Sequence, residues 1–256
     1  MNNLSVSNSR FSYPLSTLQQ IARDILMHAK QGGATACETN VSDGFGQTVT
    51  VRQSAVETIE YNRDKGLSVT VYIGQKRGNA STSDFSPQAI SDTVAAALSI
   101  ARYTADDDCA GLADAELLAQ DYPQLDLYYP WELSVEEVIE LAKQCEQAAY
   151  AVDKRITNSE GATVSVSESQ FIYANSLGFM GGYPLSHHSI SCAMIAEQGD
   201  SKQRDYWYSV ARDAVDLETA ASIGQKAGAR SAARLGARKI PTCEAPVLFE
   251  APIASS

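Results

Sequence analysis

Histidine is scarce in this chain, and the arrangement typical of a zinc hydrolase is missing. The 256 residues include three histidines, His28, His187 and His188. A catalytic zinc ion is normally held by three protein side chains, and helical zinc peptidases place two histidines on one face with a glutamate between them. Because no such spacing occurs, the residues by themselves predict no metal ligand, no cofactor-binding residue and no catalytic residue.

Other catalytic and binding signatures are missing as well. No G-x-S-x-G serine motif occurs, and the glycine pairs at 32–33 and 181–182 fit neither a phosphate-binding loop nor a dinucleotide fingerprint. The cysteines are odd in number, widely spaced and without a C-x-x-C pair, which predicts reduced thiols rather than disulfides or a zinc knuckle. The five are Cys37, Cys109, Cys145, Cys192 and Cys243.

Long apolar runs and an excess of basic residues are also lacking. No stretch approaches the roughly 20 apolar residues of a membrane-spanning helix, and residues 1–10 lack the basic and apolar regions of a secretory signal. The sequence therefore predicts a cytoplasmic protein. Twenty basic against 31 acidic residues give a net charge of −11, which repels phosphate backbones and anionic membranes. We expect no direct nucleic-acid partner and no membrane partner.

The first half of the chain has the pattern of a helix, an antiparallel meander and a second helix. Apolar residues at helical spacing predict the first helix at 17–30, and the glycines at 32–33 end it. Turns are predicted at Asp43-Gly44 and at 64–66, between strands at 35–41, 47–52, 56–62 and 67–73. Ser86 and Pro87 then begin a helix that covers this sheet.

The second half repeats this order. Ser134 and Glu137 form a capping box that begins a helix. Turns at 175–178 and 198–200 separate strand-like stretches at 162–167, 170–174, 187–197 and 205–210. A last helix begins at Asp213 or Asp216 and carries a small-residue stripe with glycines at 224 and 228, which packs on its own sheet or against another subunit.

These patterns predict an α+β fold of two successive helix–antiparallel meander–helix units, each a two-layer α/β sandwich. The predicted units are 1–103 and 134–240, and residues 104–133 form a connecting segment. Aspartates 106–108 in that segment could bind a hard cation, but neighbouring side chains point apart, which favours a solvated loop. Whether the halves share one sheet or form separate lobes stays open.

The stretch L-S-H-H-S-I-S-C at 185–192 raises the question of a nucleophile or metal site. On a strand, successive side chains point to opposite faces, so His187 and His188 cannot converge on one ion. His188 and Cys192 share a face but lie about 13 Å apart, beyond hydrogen-bond reach. His28 lies on another helix. The segment therefore predicts neither a catalytic pair nor a metal site.

Several stretches resemble the PmbA (TldE) branch of the TldD/PmbA metallopeptidase family, in collinear order over nearly the whole chain. They are E-T-I-E-Y-N-R-D-K-G at 57–66, D-F-S-P-Q-A-I at 84–90, A-R-Y-T at 101–104, D-K-R-I-T-N-S-E-G at 153–161, R-D-Y at 204–206 and A-P-V-L-F at 245–249. The resemblance implies that the chain is an N-terminal portion of a longer protein. Residues 241–256 are then the start of a C-terminal domain that is cut off.

The resemblance also implies a function. TldD-type chains carry a His-Glu-x-x-x-His zinc motif, whereas PmbA-type chains lack it and serve as the metal-free partner. We therefore expect no cofactor in this chain, zinc in a TldD-type partner subunit, and unfolded peptides as substrates, including microcin-type precursors and antitoxins. This chain would contribute substrate enclosure and partner binding, and its homo-oligomerisation when alone stays open.

Two other function classes remain. One is a regulatory binding protein that modulates a toxin, antitoxin or gyrase without proteolysis, and the other is a hydrolase that uses Cys192 or a serine. No groove residue is predicted. Aromatic side chains that either contact a partner or pack in the core are Tyr183, Tyr206, Trp207 and Tyr208.

Overall fold

The computed structural model describes residues 10–119 and 122–254, and this part of the chain forms four α-helices and seven strands. The helices are α1 Leu15–Gln31, α2 Pro87–Tyr103, α3 Val135–Tyr150 and α4 Ala220–Ala233. The strands are β1 Ala36–Arg52, β2 Ala55–Ile73, β3 Lys76–Thr82, β4 Ile156–Asn175, β5 Met180–Gly181, β6 Pro184–Gln198 and β7 Ser201–Ala211. The predicted α+β class and the twofold order of helix, meander and helix are confirmed.

All the strands belong to one antiparallel sheet. Its order is β3-β2-β1-β4-β6-β7, and β5 pairs with the end of β4. The two halves meet where β1 pairs with β4, from Glu38 opposite Asn175 to Val51 opposite Ala162. The halves therefore share a sheet, which the sequence left open. None of the described helices is long and apolar enough to cross a membrane.

The strands are longer than predicted, because two expected turns are wrong. Asp43-Gly44 lies inside the 17-residue β1, and residues 64–66 lie inside the 19-residue β2. The glycine instead permits a close approach, since a Cβ on Gly44 would lie 3.3 Å from the Glu168 carbonyl oxygen. The predicted gap at 168–169 is also wrong, because β4 continues through it. The turns at 175–178 and 198–200 are confirmed.

The helix signals were more reliable than the turn signals. The Ser86 side chain accepts from the Ala89 N–H, and Ser134 and Glu137 form the predicted reciprocal capping box. The start predicted for the last helix is wrong. The chain makes a short 3₁₀ turn at Ala214–Asp216, and α4 begins after Thr219, whose hydroxyl accepts from the Ser222 N–H.

The helices build two hydrophobic cores on the same face of the sheet. Helices α1 and α2 cover one end of the long strands, and α3 and α4 cover the other end. On β1, Cys37 and Val41 belong to the first core, whereas Val49 and Val51 belong to the second. Because these positions are all odd-numbered on one strand, a single strand connects both cores. The opposite face of the sheet carries no helix among the described residues.

The glycine stripe of α4 packs within the chain. A Cβ on Gly224 would collide with the Cys145 carbonyl oxygen, and one on Gly228 would lie 2.6 Å from the Ala149 carbonyl oxygen. Both carbonyls belong to α3. The two glycines therefore allow the backbones of α3 and α4 to touch, so these glycines pack on a neighbouring helix, which differs from both predicted contacts, the sheet and another subunit.

The β1–β2 hairpin turns on two residues in a left-handed conformation. Gln53 has a φ of 52° and Ser54 a φ of 61°. The carboxylate of Glu146, on α3, accepts from both of their N–H groups at 2.8 Å. Such turns favour asparagine and glycine, since a Cβ is strained at positive φ.

Replacing Ser54 with glycine is expected to raise the free energy of unfolding by about 1 kcal/mol, because the strain of a positive φ is relieved. The N–H that Glu146 accepts from is kept. Urea denaturation measures the change. The control is Ser54→Ala, which keeps the Cβ and should not stabilise the protein; equal stabilisation by alanine would contradict the backbone explanation.

Candidate functional site

His187 and His188 lie on opposite faces of β6, as predicted. His188 is completely buried, and its Nε2 lies 2.9 Å from the carbonyl oxygen of Tyr129. The indole of Trp131 meets the imidazole edge-on, with ring centroids 5.5 Å apart. His187 is exposed on the opposite face. The two rings therefore cannot bind one ion.

Cys192 is a core residue rather than a nucleophile. It is buried in the second core, and its Sγ lies 3.4 Å from the Met194 sulfur. A hydrogen bond with the Cys145 thiol, together with burial, raises the pKa of Cys192 far above that of a free thiol. Since the thiolate is the reactive form, this environment keeps the sulfur unreactive.

Zinc does not fit the histidines of this chain. His28 lies in the last turn of α1, whereas His188 is fixed on β6 beside Tyr129 and Trp131. Within residues 10–119 and 122–254, no three histidine, cysteine, aspartate or glutamate side chains are grouped so that they could hold a metal ion. In the 106–108 run, Asp107 accepts from the Cys109 N–H at 2.9 Å, which is a local turn contact.

A band of buried polar side chains separates the two hydrophobic cores, and the sequence reasoning missed it. Two chain segments, residues 10–13 and 127–131, cross the sheet over this band. Its members face the helices from three strands: Asp43 and Gln47 on β1, Glu168 and Gln170 on β4, and Ser186 and His188 on β6. The available signal was the appearance of polar residues at the buried positions of strands that are otherwise apolar.

Glu168 is the centre of this polar band. Its carboxylate accepts a 2.8 Å hydrogen bond from the Tyr128 hydroxyl and lies 3.5 Å from the Arg10 guanidinium. Burial and this hydrogen bond raise the pKa of Tyr128 above its ordinary value. Asp43 accepts from the backbone of the first crossing segment, and the Ser186 hydroxyl accepts from the Tyr129 N–H at 2.9 Å. The band therefore fastens both segments to the sheet.

The helix-free face of the sheet is lined by small hydroxyl side chains and glycines. Pairs of hydroxyls bridge β1 and β4, Thr48 with Ser165 at 3.0 Å and Thr50 with Thr163 at 2.9 Å. Across β1, β4 and β6 the centre of this open face includes Ser42, Gly44, Gly46, Thr48, Thr50, Thr163, Ser165, Ser167, Ser169, His187, Ser189 and Ser191. Phe171, opposite Ser42, and Leu185, opposite Ser169, lie on the same face. The centre of the face therefore presents chiefly hydroxyls and close backbone.

Two shallow grooves run along the open face. One, of about 260 Å³, lies over Gly44 and Gly46, and the other, of about 400 Å³, lies between β1 and β3 beside Ser42 and Ser68. At the far end, the Glu38 carboxylate accepts from the hydroxyls of Tyr72 and Tyr173 at 2.9 and 2.8 Å. Burial, followed by this hydrogen bond, raises the pKa of Tyr72 to about 12.

The four aromatic candidates have different surroundings, and only Trp207 packs against a core. Trp207 packs against the second core and donates to Glu218 at 3.1 Å, and Tyr183 packs edge-on against Phe171. Tyr206 and Tyr208 are exposed and stack on each other on β7, with ring centroids 6.2 Å apart. These two are the members of the set that are available for a partner.

This arrangement defines an α+β protein whose open sheet face carries chiefly hydroxyls and close backbone at its centre. Two family models match its sequence: PmbA/TldA metallopeptidase domain 1 over residues 37–101, and PmbA/TldA metallopeptidase central domain over residues 128–235. The chain belongs to the PmbA/TldD metallopeptidase family and to its PmbA branch.

Similar curated proteins are about twice as long. The chain is 45% identical over 224 residues to metalloprotease PmbA of Escherichia coli, an alignment that covers 88% of this chain and 50% of that protein. It is 41% identical over 221 residues to a metalloprotease PmbA homologue of Haemophilus influenzae, covering 86% of this chain and 49% of the homologue. The chain thus spans about half the length of these relatives.

Solved structures share the fold. A crystal structure from Bacteroides thetaiotaomicron, described as that of a proposed modulator of DNA gyrase, superposes with a TM-score of 0.80 at 23% identity and covers 87% of this chain and 51% of that chain. TldE from Thermococcus kodakarensis superposes with a TM-score of 0.64 at 12% identity, and the match covers 83% of this chain and 47% of that chain. At these identities, the likeness supports the fold alone.

Proposed function

We propose that this chain is the metal-free component of a cytoplasmic PmbA/TldD-type peptidase that processes or degrades unfolded peptides. A TldD-type partner supplies the zinc ion and the hydrolysis, and this chain supplies partner binding and a wall that encloses the substrate. The observation that carries the proposal is the division of groups in the sheet: His188 and Cys192 are buried, whereas the open face offers hydroxyls and backbone.

Such a face suits substrates that have no fixed sequence. Serine and threonine hydroxyls both donate and accept hydrogen bonds, so they can satisfy the backbone of an extended peptide without selecting its side chains. The glycines at 44 and 46 remove Cβ atoms at the centre of the open face and let a peptide backbone approach closely. Unfolded microcin-type precursors and antitoxins are substrates of this kind.

Charge adds a weak preference. A net charge of −11 attracts neutral or basic peptides more than acidic ones. Screening at physiological salt limits this attraction to about 8–10 Å. We therefore expect the preference for basic peptides to weaken as the salt concentration rises.

A peptidase assay tests the proposal in three arms: this chain alone, this chain with a TldD-type zinc subunit, and the pair with a chelator. Cleavage of an unfolded peptide is expected in the second arm only. Ser167→Trp on the open face should slow cleavage by the pair several-fold, because the indole fills the groove over the glycines. The matched control is Ser99→Trp, at an exposed position on α2.

Two outcomes would contradict the proposal. Chelator-sensitive cleavage by the isolated chain would show that it holds its own metal. Unchanged cleavage when this chain is omitted, combined with capture of a toxin, antitoxin or gyrase by this chain in the absence of the zinc subunit, would favour the regulatory alternative.

A further inference from the structure

Among the residues that the structure describes, none covers one edge of the sheet over half the length of β2. Residues 55–66 pair with β1 on one side only, because β3 reaches no further along β2 than Leu67. Each residue from 55 to 65 is exposed. The other two edge strands, β3 and β7, each have a helix packed on one face. A long edge with unpaired N–H and C=O groups is a template for another strand.

The side chains on this free edge, residues 55–66 of β2, are apolar as well as charged. Val56, Ile59 and Tyr61 are 42%, 45% and 56% exposed, and a β-bulge at Glu57 separates Val56 from the other two. Ile59 and Tyr61 lie on the helix-side face, since they pair with Val49 and Gln47 of β1. Apolar side chains in a row on an unpaired edge favour association.

Charge and the length of the pairing together favour one way for the edge to pair with itself. A two-fold axis perpendicular to a sheet places residues of the same face opposite each other in antiparallel strands. A two-fold axis at Glu60 places the two copies of Glu60 opposite each other. An axis at Asn62 places Glu60 opposite Asp64. An axis at Arg63 or at Asp64 places two identical charges opposite each other. Of the axes that avoid every like-charge pair, the one at Tyr61 pairs the longest stretch of the edge, residues 56–66, and it places Glu60 opposite Asn62 and Ile59 opposite Arg63.

We propose that a second copy of this chain docks on the free edge, antiparallel and centred on Tyr61, so that two sheets become one. The contact is isologous, and the two Tyr61 rings meet at the axis. This inference goes beyond the proposed function and does not depend on it, because neither the zinc partner nor a peptide takes part. Failure of one proposal therefore leaves the other standing.

Disulfide trapping tests the register. Cα atoms of directly opposed residues lie about 4.5–5.5 Å apart in antiparallel strands, within the range that a disulfide spans. Tyr61→Cys, in a chain whose exposed Cys109 and Cys243 are changed to serine, should give a covalent dimer with a mild thiol oxidant such as diamide, which takes up the two hydrogens that the thiols lose. Thr58→Cys is the matched control, because its two copies lie about 20 Å apart in the same pairing.

Sedimentation equilibrium over a range of concentrations tests the association without oxidation. The 256-residue chain is expected to dimerise, and Ile59→Lys should weaken the dimer by roughly tenfold or more, because a lysine on the edge opposes pairing. Ile100→Lys, at a position of α2 that is 48% exposed, is the control. A chain that stays monomeric, a dimer that Ile59→Lys leaves unchanged, or trapping that is equal for both cysteine variants or absent from both would overturn the proposal.

Discussion

Gly224→Ala is expected to lower the free energy of unfolding by about 3 kcal/mol, at the upper end of the cost of overpacking. A methyl group at this position would collide with the carbonyl oxygen of Cys145. The obstacle is helix backbone, which cannot rotate away as a side chain can, so α3 and α4 would have to separate. Their separation would loosen the second core around Ile223, which is completely buried.

Urea denaturation of the purified variant measures this loss. The control is Gly111→Ala in the connecting segment, where an added Cβ meets no atom within 4 Å. We expect its effect to stay within about 0.5 kcal/mol. If Gly224→Ala were as mild as Gly111→Ala, the close contact between the helix backbones would be wrong.

Glu168→Ala is expected to cost about 3 kcal/mol, because it removes a completely buried carboxylate that has partners on both sides. The Tyr128 hydroxyl would lose its acceptor, and the Arg10 guanidinium would lose its counter-charge. A small cavity would be left between the cores. Both crossing segments should therefore loosen together, since each has one of these partners.

Amide hydrogen exchange gives this second prediction a local readout. The Tyr129 N–H, which donates to the Ser186 hydroxyl, should exchange faster in Glu168→Ala. Glu140→Ala, at an exposed position on α3, is the matched control and should leave this amide protected. Loss of global stability without faster exchange at Tyr129 would mean that the polar band does not fasten the crossing segments.

Features that depend on neighbouring residues could be predicted from the sequence. Caps at Ser86 and Ser134 are visible because a hydroxyl three residues before a backbone N–H needs no distant partner. The split between His187 and His188 followed from the two-residue period of a strand alone. The buried apolar face of α1 was predictable for the same reason, since one face of a helix is set by local geometry.

Turn signals failed where tertiary pairing overrode local preference. Asp43-Gly44 is a common turn sequence, yet it continues a strand, because β2 on one side and β4 on the other hydrogen-bond it along its length. Gln53 and Ser54 form the true turn without its usual residues, and Glu146 supports it from a helix more than 90 positions away. Neither exception has a local signature.

The buried polar band was missed for a related reason. Asp43, Glu168 and His188 each look like an ordinary polar residue in a strand, and only the alignment of three strands places them in one row. A polar residue at a buried position is stable when partners satisfy it, and the partners here come from residues 10–13 and 127–131. Neither the sequence of the strands nor that of the two crossing segments shows which of their residues will form hydrogen bonds with each other.

The sequence by itself determined the helices, the faces of the strands and, through collinear resemblance, the PmbA branch of the family. The tertiary structure decided that the two halves share one sheet through β1 and β4, that a polar band separates two cores, and that residues 55–66 are left as a free edge. The physical reason is the separation along the chain over which each kind of interaction acts. Helix periodicity and capping act within a few residues, whereas strand partners and buried hydrogen bonds join positions that are about a hundred residues apart and are chosen by the whole fold.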